Sequence, residues 1–365
     1  MARSTSFVES VQNHARVAAT FAYAPVKYTT AAGASEDSDV ALAMLPAIYG
    51  TMPLDEGNAV VGIGLTTPYG QSMEWGRGGL LDGATPDFAQ MMTANIAPSF
   101  GVKLSDSVSV GAGLNVMWAN LEFKQSLLPP PGVPAPSSRI EFEGDGYSVG
   151  GTVGLVWQIT DNQRLGVSYR TAADVTVKGD FSIANAPPTL PAVPRSDFET
   201  EIKFPAVAAI GYGIQVSDTL RLEADVEWIE HSQNDVMSLD IGVNNPLLAA
   251  VLGSADLPQD WDDTWTFGAG ADWNCSEEWV LRTGFTWLPT PVPDSTFLPV
   301  LTEGDKVVLG VGAGYQSGAH KIDFAYSYSI TEDREVTPAE NPNPGIAGTY
   351  EMEPHLASVT YGYQF

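Results

Sequence analysis

Apolar and polar residues alternate with a period of two along most of this chain, which is the period of a β-strand. The C-terminal segment 357–365, ASVTYGYQF, places Val359, Tyr361 and Tyr363 on one face. Segment 219–228, TLRLEADVEW, alternates apolar residues with arginine and acidic residues. Such segments have one apolar face and one polar face, and they predict an all-β protein.

About fourteen segments carry this alternation, and most have ten residues or more, whereas strands of soluble sheets usually have about five or six. A tilted strand needs about nine to eleven residues to cross a bilayer. The predicted strands are 15–29, 41–51, 58–67, 90–103, 107–123, 140–159, 163–179, 198–216, 219–236, 262–273, 279–289, 304–316, 319–331 and 348–365.

The connections between these strands are alternately short and long. The short ones are polar turns, as at 55–57, 105–106 and 161–162, and the long ones are rich in proline, as at 124–139 and 237–261. Outer-membrane barrels have short periplasmic turns and long extracellular loops. The pattern therefore predicts a transmembrane antiparallel β-barrel of about fourteen strands with this asymmetry.

Composition narrows the functional classes. Lys and Arg number 17 against 44 Asp and Glu, a formal net charge of -27, which argues against nucleic acid as a partner because phosphate binding needs a basic face. The single cysteine, Cys275, and the four scattered histidines lack the spacing of metal ligands. No metal and no cofactor are predicted.

The face opposite the apolar one is rich in glycine, as at Gly62 and Gly64, at Gly268 and Gly270, and at 310–314. Glycine weakens a strand, so its repetition indicates that something approaches the wall closely. A plug or a ligand inside the barrel is one explanation, and local curvature of the barrel is the other.

Four segments carry a resemblance to a known family. They are VGIGLTTPYGQSMEW (61–75), SVGAGLNVMWANLEF (109–123), NQRLGVSYRTAADVTVKGDF (162–181) and EEWVLRTGFTWLPTPVPDS (277–295). From about residue 15 onward the chain resembles the FadL/TodX family of outer-membrane transporters for long-chain fatty acids and other hydrophobic compounds. The resemblance implies a monomeric fourteen-stranded barrel with an N-terminal plug. It also implies that the ligand enters from the extracellular loops and leaves sideways through a kink in the third strand.

The N-terminus departs from the family pattern, because neither a signal peptide nor an Asn-Pro-Ala plug motif is present. We interpret residues 1–14 as the only candidate remnant of a plug and residues 15–365 as the barrel. The expectation is an outer-membrane protein whose sequence is incomplete at its N-terminus; a member without a plug is the alternative.

Hydrophobic capture is predicted in two loops. The segment 244–257 is apolar within an otherwise polar loop, and an exposed apolar patch usually marks a binding surface. Its large apolar residues have helical spacing; they are Leu247, Leu248, Val251 and Leu252. Leu127 and Leu128 form a second, weaker patch. The alternative is that the loop folds inward as the core of a lid.

Charged residues on the polar face are candidates for the lumen. A carboxylate head group favours arginine in a wall of low dielectric constant, and Arg170, Arg221 and Arg282 have the inward parity. The alternative is that these arginines pair with lumenal carboxylates such as Glu223, Asp225 or Glu227.

A defect in the third strand is predicted at Thr66, Pro68 and Gly70, because proline cannot donate to the ladder and glycine permits a bend. The alternative is that Pro68 merely ends the strand. No catalytic residue is predicted, since the one cluster of suitable residues, 231–235, is explained by a solvated strand end.

These observations predict passive uptake of hydrophobic small molecules, above all long-chain fatty acids, across the bacterial outer membrane. The expected partners are the ligand and outer-membrane lipid, and the expected state is a monomer. The alternatives are a general diffusion porin with a polar, cation-preferring channel, and a barrel enzyme, for which no catalytic pair is found.

Overall fold

The computed structural model describes residues 13–128, 138–185, 195–242 and 254–365, and these ranges are built from strands and short 3₁₀ turns. The strands are β1 His14–Tyr23, β2 Val26–Thr29, β3 Ser35–Asp37, β4 Ala43–Leu54, β5 Ala59–Thr66, β6 Gly70–Glu74, β7 Phe88–Lys103, β8 Val108–Leu127, β9 Ser138–Thr160, β10 Gln163–Arg170, β11 Ala173–Ala184, β12 Ser196–Phe204, β13 Val207–Gln215, β14 Leu220–Ile229, β15 Val236–Gly242, β16 Ser254–Pro258, β17 Thr264–Asn274, β18 Trp279–Leu288, β19 Lys306–Ser317, β20 His320–Thr331, β21 Arg334–Val336, β22 Gly348–Met352 and β23 His355–Gln364. The 3₁₀ turns are Asp55–Gly57, His231–Gln233, Asp294–Thr296, Pro299–Leu301 and Pro344–Ile346. In the described ranges, no helix is long and apolar enough to cross a membrane.

Nineteen of these strands form one antiparallel sheet that closes on itself, because β1 pairs with β23 on one edge and with β4 on the other. Five positions of the wall consist of two consecutive pieces each: β5 with β6, β10 with β11, β12 with β13, β14 with β15, and β16 with β17. The result is a closed barrel of fourteen wall strands, which confirms the predicted fold class.

The outer face of the wall is apolar. Val149, Val311 and Phe324 each leave more than half of their surface exposed, at 67%, 60% and 59%. A soluble monomer rarely exposes a continuous apolar band, whereas a membrane barrel presents such a band to lipid. The strand period that the sequence shows is thus an alternation between lipid and lumen.

Replacing Val226 with arginine is expected to destabilise the folded barrel by roughly 2–4 kcal/mol, because β14 places this side chain on the lipid face and the bilayer midplane penalises a charge. The same substitution at Asp225, on the lumenal face of the same strand, is expected to cost far less. Urea titrations of the two variants in lipid vesicles measure the difference. Equal costs would contradict this assignment of the two faces.

The connections at one end of the barrel have four residues or fewer, and those at the other end are long. The short ones are 55–58, 104–107, 161–162, 216–219, 275–278 and 318–319. We call the end with the long connections the upper end. By the rule for outer-membrane barrels, it is the extracellular one.

Several long connections fold together into a compact unit, which we call the cap. It contains the four-stranded sheet β21-β22-β2-β3 together with residues 75–87 and 291–303. Tyr350 lies at its centre, with ring centroids 4.8 Å from Tyr28, 4.9 Å from Phe297 and 6.4 Å from Trp75. The cap therefore has a hydrophobic core of its own.

Two predicted strands, 15–29 and 348–365, differ from the structure. Each is divided at a proline, Pro25 or Pro354, and its outer piece belongs to the cap sheet instead of the wall. The wall piece of each ends at the same height, since Tyr23 pairs with His355. Proline lacks an N–H and interrupts a ladder. The two segments of the chain therefore leave the wall at the same height.

A second core, the upper core, lies inside the upper part of strands β8, β9, β11, β12 and β15. Phe142 is its centre, with ring centroids 5.0 Å from Phe181, 5.4 Å from Phe198 and 6.0 Å from Phe123. Phe123 packs against the cap core as well. Inward-facing side chains at this height therefore pack against one another instead of lining an open channel.

Candidate functional site

The third wall strand is interrupted. Its lower piece β5 ends at Thr66, and its upper piece β6 begins at Gly70. β5 pairs with both β4 and β7, but β6 pairs only with β7. In the described structure, residues 43–47 of β4 therefore have ladder partners on β1 alone. The wall has a gap in its hydrogen bonding at the place where Thr66, Pro68 and Gly70 lie.

The side chain of Leu45 lies in this gap. The Leu45 side chain lies beside Gly70, since a Cβ added at Gly70 would be 3.9 Å from Leu45 Cδ2. The gap is bounded above by an isolated bridge between Asp39 and Glu74. It is thus a short slot, closed by an aliphatic side chain instead of by backbone hydrogen bonds.

Tyr69, within the interruption, reaches across the lumen. Its backbone N–H donates to the hydroxyl of Thr93 at 3.0 Å, and the Thr93 hydroxyl donates back to the Tyr69 carbonyl. Its ring stacks on Phe204 of the eighth wall strand with centroids 4.6 Å apart. Its hydroxyl accepts a hydrogen bond of 2.5 Å from Arg170 of the seventh. One side chain thus connects wall strands that are not neighbours.

The seventh and eighth wall strands change parity where they meet Tyr69. On β10 the inward residues are Ser168 and Arg170, but on β11 they are Ala173 and Val175. The irregular residues 171–172 lie opposite 205–206 on the eighth strand. This switch turns both Arg170 and Phe204 towards the same point of the lumen.

The alternation predicts both strands as continuous, so the meeting of Arg170 and Phe204 at Tyr69 was not predicted. The hydrogen bonds between Tyr69 and Thr93 were not predicted either. One signal was available, because Pro205 stands in the middle of a predicted strand, which is unusual for a central strand. The apolar residues stay on the odd-numbered positions from Leu165 to Val177, so the alternation itself gives no sign that the inward face changes.

A polar belt lies beneath Tyr69. Asn95 Nδ2 donates to Asn115 Oδ1 at 3.2 Å, and Asn115 Nδ2 donates to Thr152 Oγ1 at 2.8 Å. A cavity of about 20 Å³ lies beside it, lined in part by Pro68, Tyr69 and the two asparagines. Such a volume holds about one water molecule. The described side chains therefore leave little free volume beside Tyr69.

The lower lumen is lined by charges that pair with one another. Arg221 forms an ion pair with Glu223. Arg282 Nη1 lies 2.8 Å from Asp323 Oδ1, and Arg282 Nε lies 3.5 Å from Asp272 Oδ1. Arg221 and Arg282 are thus both paired with lumenal carboxylates, as the alternative to head-group binding expects. Arg221 has the named partner Glu223, whereas the partners of Arg282, Asp323 and Asp272, were not among the carboxylates named.

The two other predicted lumenal carboxylates, Asp225 and Glu227, share the inward parity of β14 with Glu223. Asp225 lies against Gly268 of the neighbouring β17, where an added Cβ would be 2.7 Å from Asp225 Oδ1. Arg170 is the predicted lumenal arginine that takes a different partner, the hydroxyl of Tyr69.

The inward glycines make room for these polar side chains. A Cβ added at Gly314 would lie 2.9 Å from Arg282 Nη1, and one added at Gly64 would lie 3.3 Å from the ring of Tyr49. The close approach that the glycine pattern indicates therefore comes, at these positions, from large side chains on neighbouring strands.

The predicted capture residues are only partly within the described structure. Leu127 is the last residue of β8 at the upper end and Leu128 follows it; they are 37% and 55% exposed. Leu128 lies over Gly83 of the cap, where an added Cβ would be 2.6 Å from its Cγ. Leu247, Leu248, Val251 and Leu252 lie outside the described residues.

The cluster 231–235 is held by Asp263. The Ser232 N–H donates to Asp263 Oδ1 at 2.9 Å, and Trp228 Nε1 donates to Asp263 Oδ2 at 3.2 Å. Burial lowers the pKa of His231 to about 4, against the opposing charge of Asp263. Among the described residues, no group of three or more His, Cys, Asp or Glu side chains could hold a metal ion.

Comparisons with known proteins agree with this architecture. The family model described as "Outer membrane protein transport protein (OMPP1/FadL/TodX)" matches residues 4–365. An outer membrane protein of Neisseria meningitidis serogroup B is 24% identical over 244 residues, which cover 62% of this chain and 52% of that protein. The long-chain fatty acid transport protein of Salmonella typhi is 19% identical over 357 residues, covering 90% of this chain and 77% of that one.

Solved structures show the same fold. A Pseudomonas aeruginosa FadL homologue has a TM-score of 0.84 at 20% identity, covering 99% of this chain and 92% of that chain. The Pseudomonas putida toluene transporter TodX has a TM-score of 0.78 at 17% identity, covering 100% and 93%. At these identities the likeness concerns the fold.

Proposed function

Because the chain belongs to the OMPP1/FadL/TodX family of outer membrane transport proteins, we propose that it takes up long-chain fatty acids passively across the outer membrane. Membership confirms the predicted location, and it makes the chain a channel for hydrophobic compounds and not an enzyme. It does not favour the alternative of a general diffusion porin. The similarity to the long-chain fatty acid transport protein of Salmonella typhi supports fatty acids as the substrate.

The observation that carries the proposal is the interrupted third wall strand. A hydrophobic molecule gains nothing by entering periplasmic water, whereas leaving sideways keeps its apolar surface out of water. The slot between β4 and β6 is closed by the Leu45 side chain, which can rotate, instead of by backbone hydrogen bonds. Residues 66–70 are therefore the proposed lateral exit.

The proposed route begins at the upper end. Ligand first contacts the apolar loop residues around Leu127 and Leu128 and those of segment 244–257, then passes between the cap and the upper core. The predicted monomeric state and the predicted lipid partner belong to this proposal, since lateral release delivers the ligand into the surrounding lipid.

Uptake of radiolabelled palmitate by host cells that lack their own fatty acid transporter tests the substrate. The protein should increase palmitate uptake saturably and should not increase uptake of a small hydrophilic sugar. Sugar uptake at porin-like rates would overturn the proposal in favour of the diffusion porin.

Monoaromatic hydrocarbons are the second candidate substrate class. The aromatic pair of Tyr69 and Phe204 beside the wall gap favours them, as does the likeness to the toluene transporter TodX. Toluene uptake without palmitate uptake, in the same cells, would identify this class as the substrate.

Bridging the slot should block the exit. In a Cys275→Ser background, we expect a short bifunctional thiol reagent joining Leu45→Cys to Gly70→Cys to reduce palmitate uptake severalfold, because the two strands can no longer separate. The matched control joins Gly50→Cys to Ile63→Cys, positions already paired in the ladder between β4 and β5. Unchanged uptake with the upper pair cross-linked would exclude this slot as the route.

A further inference from the structure

Arg170 differs from the two other predicted lumenal arginines, Arg221 and Arg282. Arg221, Arg282 and the cap residue Arg334 each have a carboxylate within 4.0 Å. In the described part of the chain, no carboxylate pairs with Arg170; its guanidinium donates to the Tyr69 hydroxyl and lies 5.4 Å from the centre of the Tyr69 ring. An arginine beside a closed cavity and without a counter-ion is a ready partner for an anion.

Tyr69 holds the place that an anion would take. Its hydroxyl accepts from the guanidinium, and its ring fills the space between Arg170 and Phe204. The cavity left beside it, about 20 Å³, is too small for a carboxylate with its chain. A carboxylate that takes this place on Arg170 must therefore displace the Tyr69 side chain.

The surroundings of Arg170 are divided into an apolar half and a polar half. Met117, Ala173 and Phe204 lie on the side of the upper core. Asn95 and Asn115 line the same cavity from the polar belt. A molecule with an apolar tail and a carboxylate head matches this division, with the tail directed upward and the head on the guanidinium.

We propose, resting on the proposed function, that Arg170 binds the carboxylate head of the incoming ligand and that Tyr69 is the stopper that this carboxylate displaces. A carboxylate forms charge-assisted, two-pronged hydrogen bonds with a guanidinium, roughly twice as strong as a bond to a neutral hydroxyl. The ligand therefore competes successfully for Arg170. Because Tyr69 is part of the interrupted strand, its release loosens the slot beside Gly70.

The test compares uptake of radiolabelled palmitate with that of hexadecanol, which has the same chain length without the charge. Wild-type protein should prefer palmitate. Arg170→Gln should lower palmitate uptake roughly tenfold, as expected for losing a charged hydrogen bond, and should leave hexadecanol uptake unchanged. Tyr69→Phe keeps the ring but releases Arg170, and it should raise hexadecanol uptake relative to palmitate.

Arg164→Gln is the matched control, because Arg164 lies on the same strand at the lower end of the lumen, 3.9 Å from Glu223; it should keep the wild-type ratio. Arg170→Lys retains the charge without the planar fork of the guanidinium and should give an intermediate ratio of palmitate to hexadecanol uptake. This variant tests the role of Arg170 if Arg170→Gln does not fold.

Folding is checked by the heat-dependent gel mobility of the barrel. A palmitate-to-hexadecanol ratio that stays at the wild-type value in the folded Arg170 and Tyr69 variants would overturn the inference. Failure of the wild-type protein to take up palmitate would instead overturn the proposed function.

Discussion

Replacing Arg334 with methionine is expected to open the cap while the barrel wall stays folded. Arg334 is only 9% exposed, and its guanidinium joins two loops. It donates to Asp294 Oδ1 at 2.9 Å, to the Val292 carbonyl at 2.6 Å and to the Glu303 carbonyl at 3.0 Å. It also lies 4.8 Å from the ring centre of Phe297.

The expected cost is about 3 kcal/mol, the lower end of the range for breaking a buried pair, because the side chain of Asp294 is 45% exposed and water can solvate part of it. Because the cap has its own core, its opening is a local event. Hydrogen exchange should therefore accelerate in residues 289–305 and 332–352 and should stay slow in the wall strands.

The control is Lys27→Met in the same cap. Lys27 pairs with Glu351 at 3.2 Å, but the two side chains are 51% and 43% exposed, so the pair contributes less than about 1 kcal/mol. If the two variants exchange at the same rate, Arg334 does not hold the cap together.

Replacing Gly179 with alanine is expected to prevent normal closure of the upper core. A Cβ added at Gly179 would collide with the carbonyl oxygen of Glu143 on β9, and one added at Gly144 would lie 2.7 Å from the carbonyl oxygen of Lys178. These obstacles are backbone atoms of a paired strand, so they cannot rotate away. The strands β9 and β11 must separate, and the packing of Phe142 against Phe181 is lost with them.

The expected loss of stability is roughly 3 kcal/mol or more, the upper end of what overpacking costs. Gly211→Ala is the control, since its Cβ would meet Asp225 Cβ at 3.7 Å, an ordinary contact. Urea titrations in lipid vesicles should separate the two variants. A Gly179→Ala barrel as stable as the control would show that the close approach of β9 and β11 is not required for the fold.

The alternation along the chain was sufficient to predict the wall. Residues 219–228 and 357–365 alternate because their two faces meet different media, lipid and lumen, and this is a property of each strand alone. The short polar turns similarly predicted which end of the barrel has short connections. The cap was not predictable in the same way, because Tyr28, Phe297 and Tyr350 come from three separate connections.

The candidate site was likewise predictable from the sequence only in part. Pro68 and Gly70 marked the interruption of the third strand, since the conformational limits of proline and glycine are local. The partners of Tyr69 were not readable, because Arg170 is 101 positions away along the chain and reaches it only after the barrel has closed.

The sequence by itself therefore determined the barrel, its two faces, its asymmetric ends and the place where the wall is weak. Each of these follows from residue type and strand period. Only the tertiary structure decided which inward arginines are neutralised and which one faces Tyr69. Inward side chains are paired by barrel curvature, strand register and the parity switch at residues 171–172, and these arise from long-range closure instead of from any segment alone.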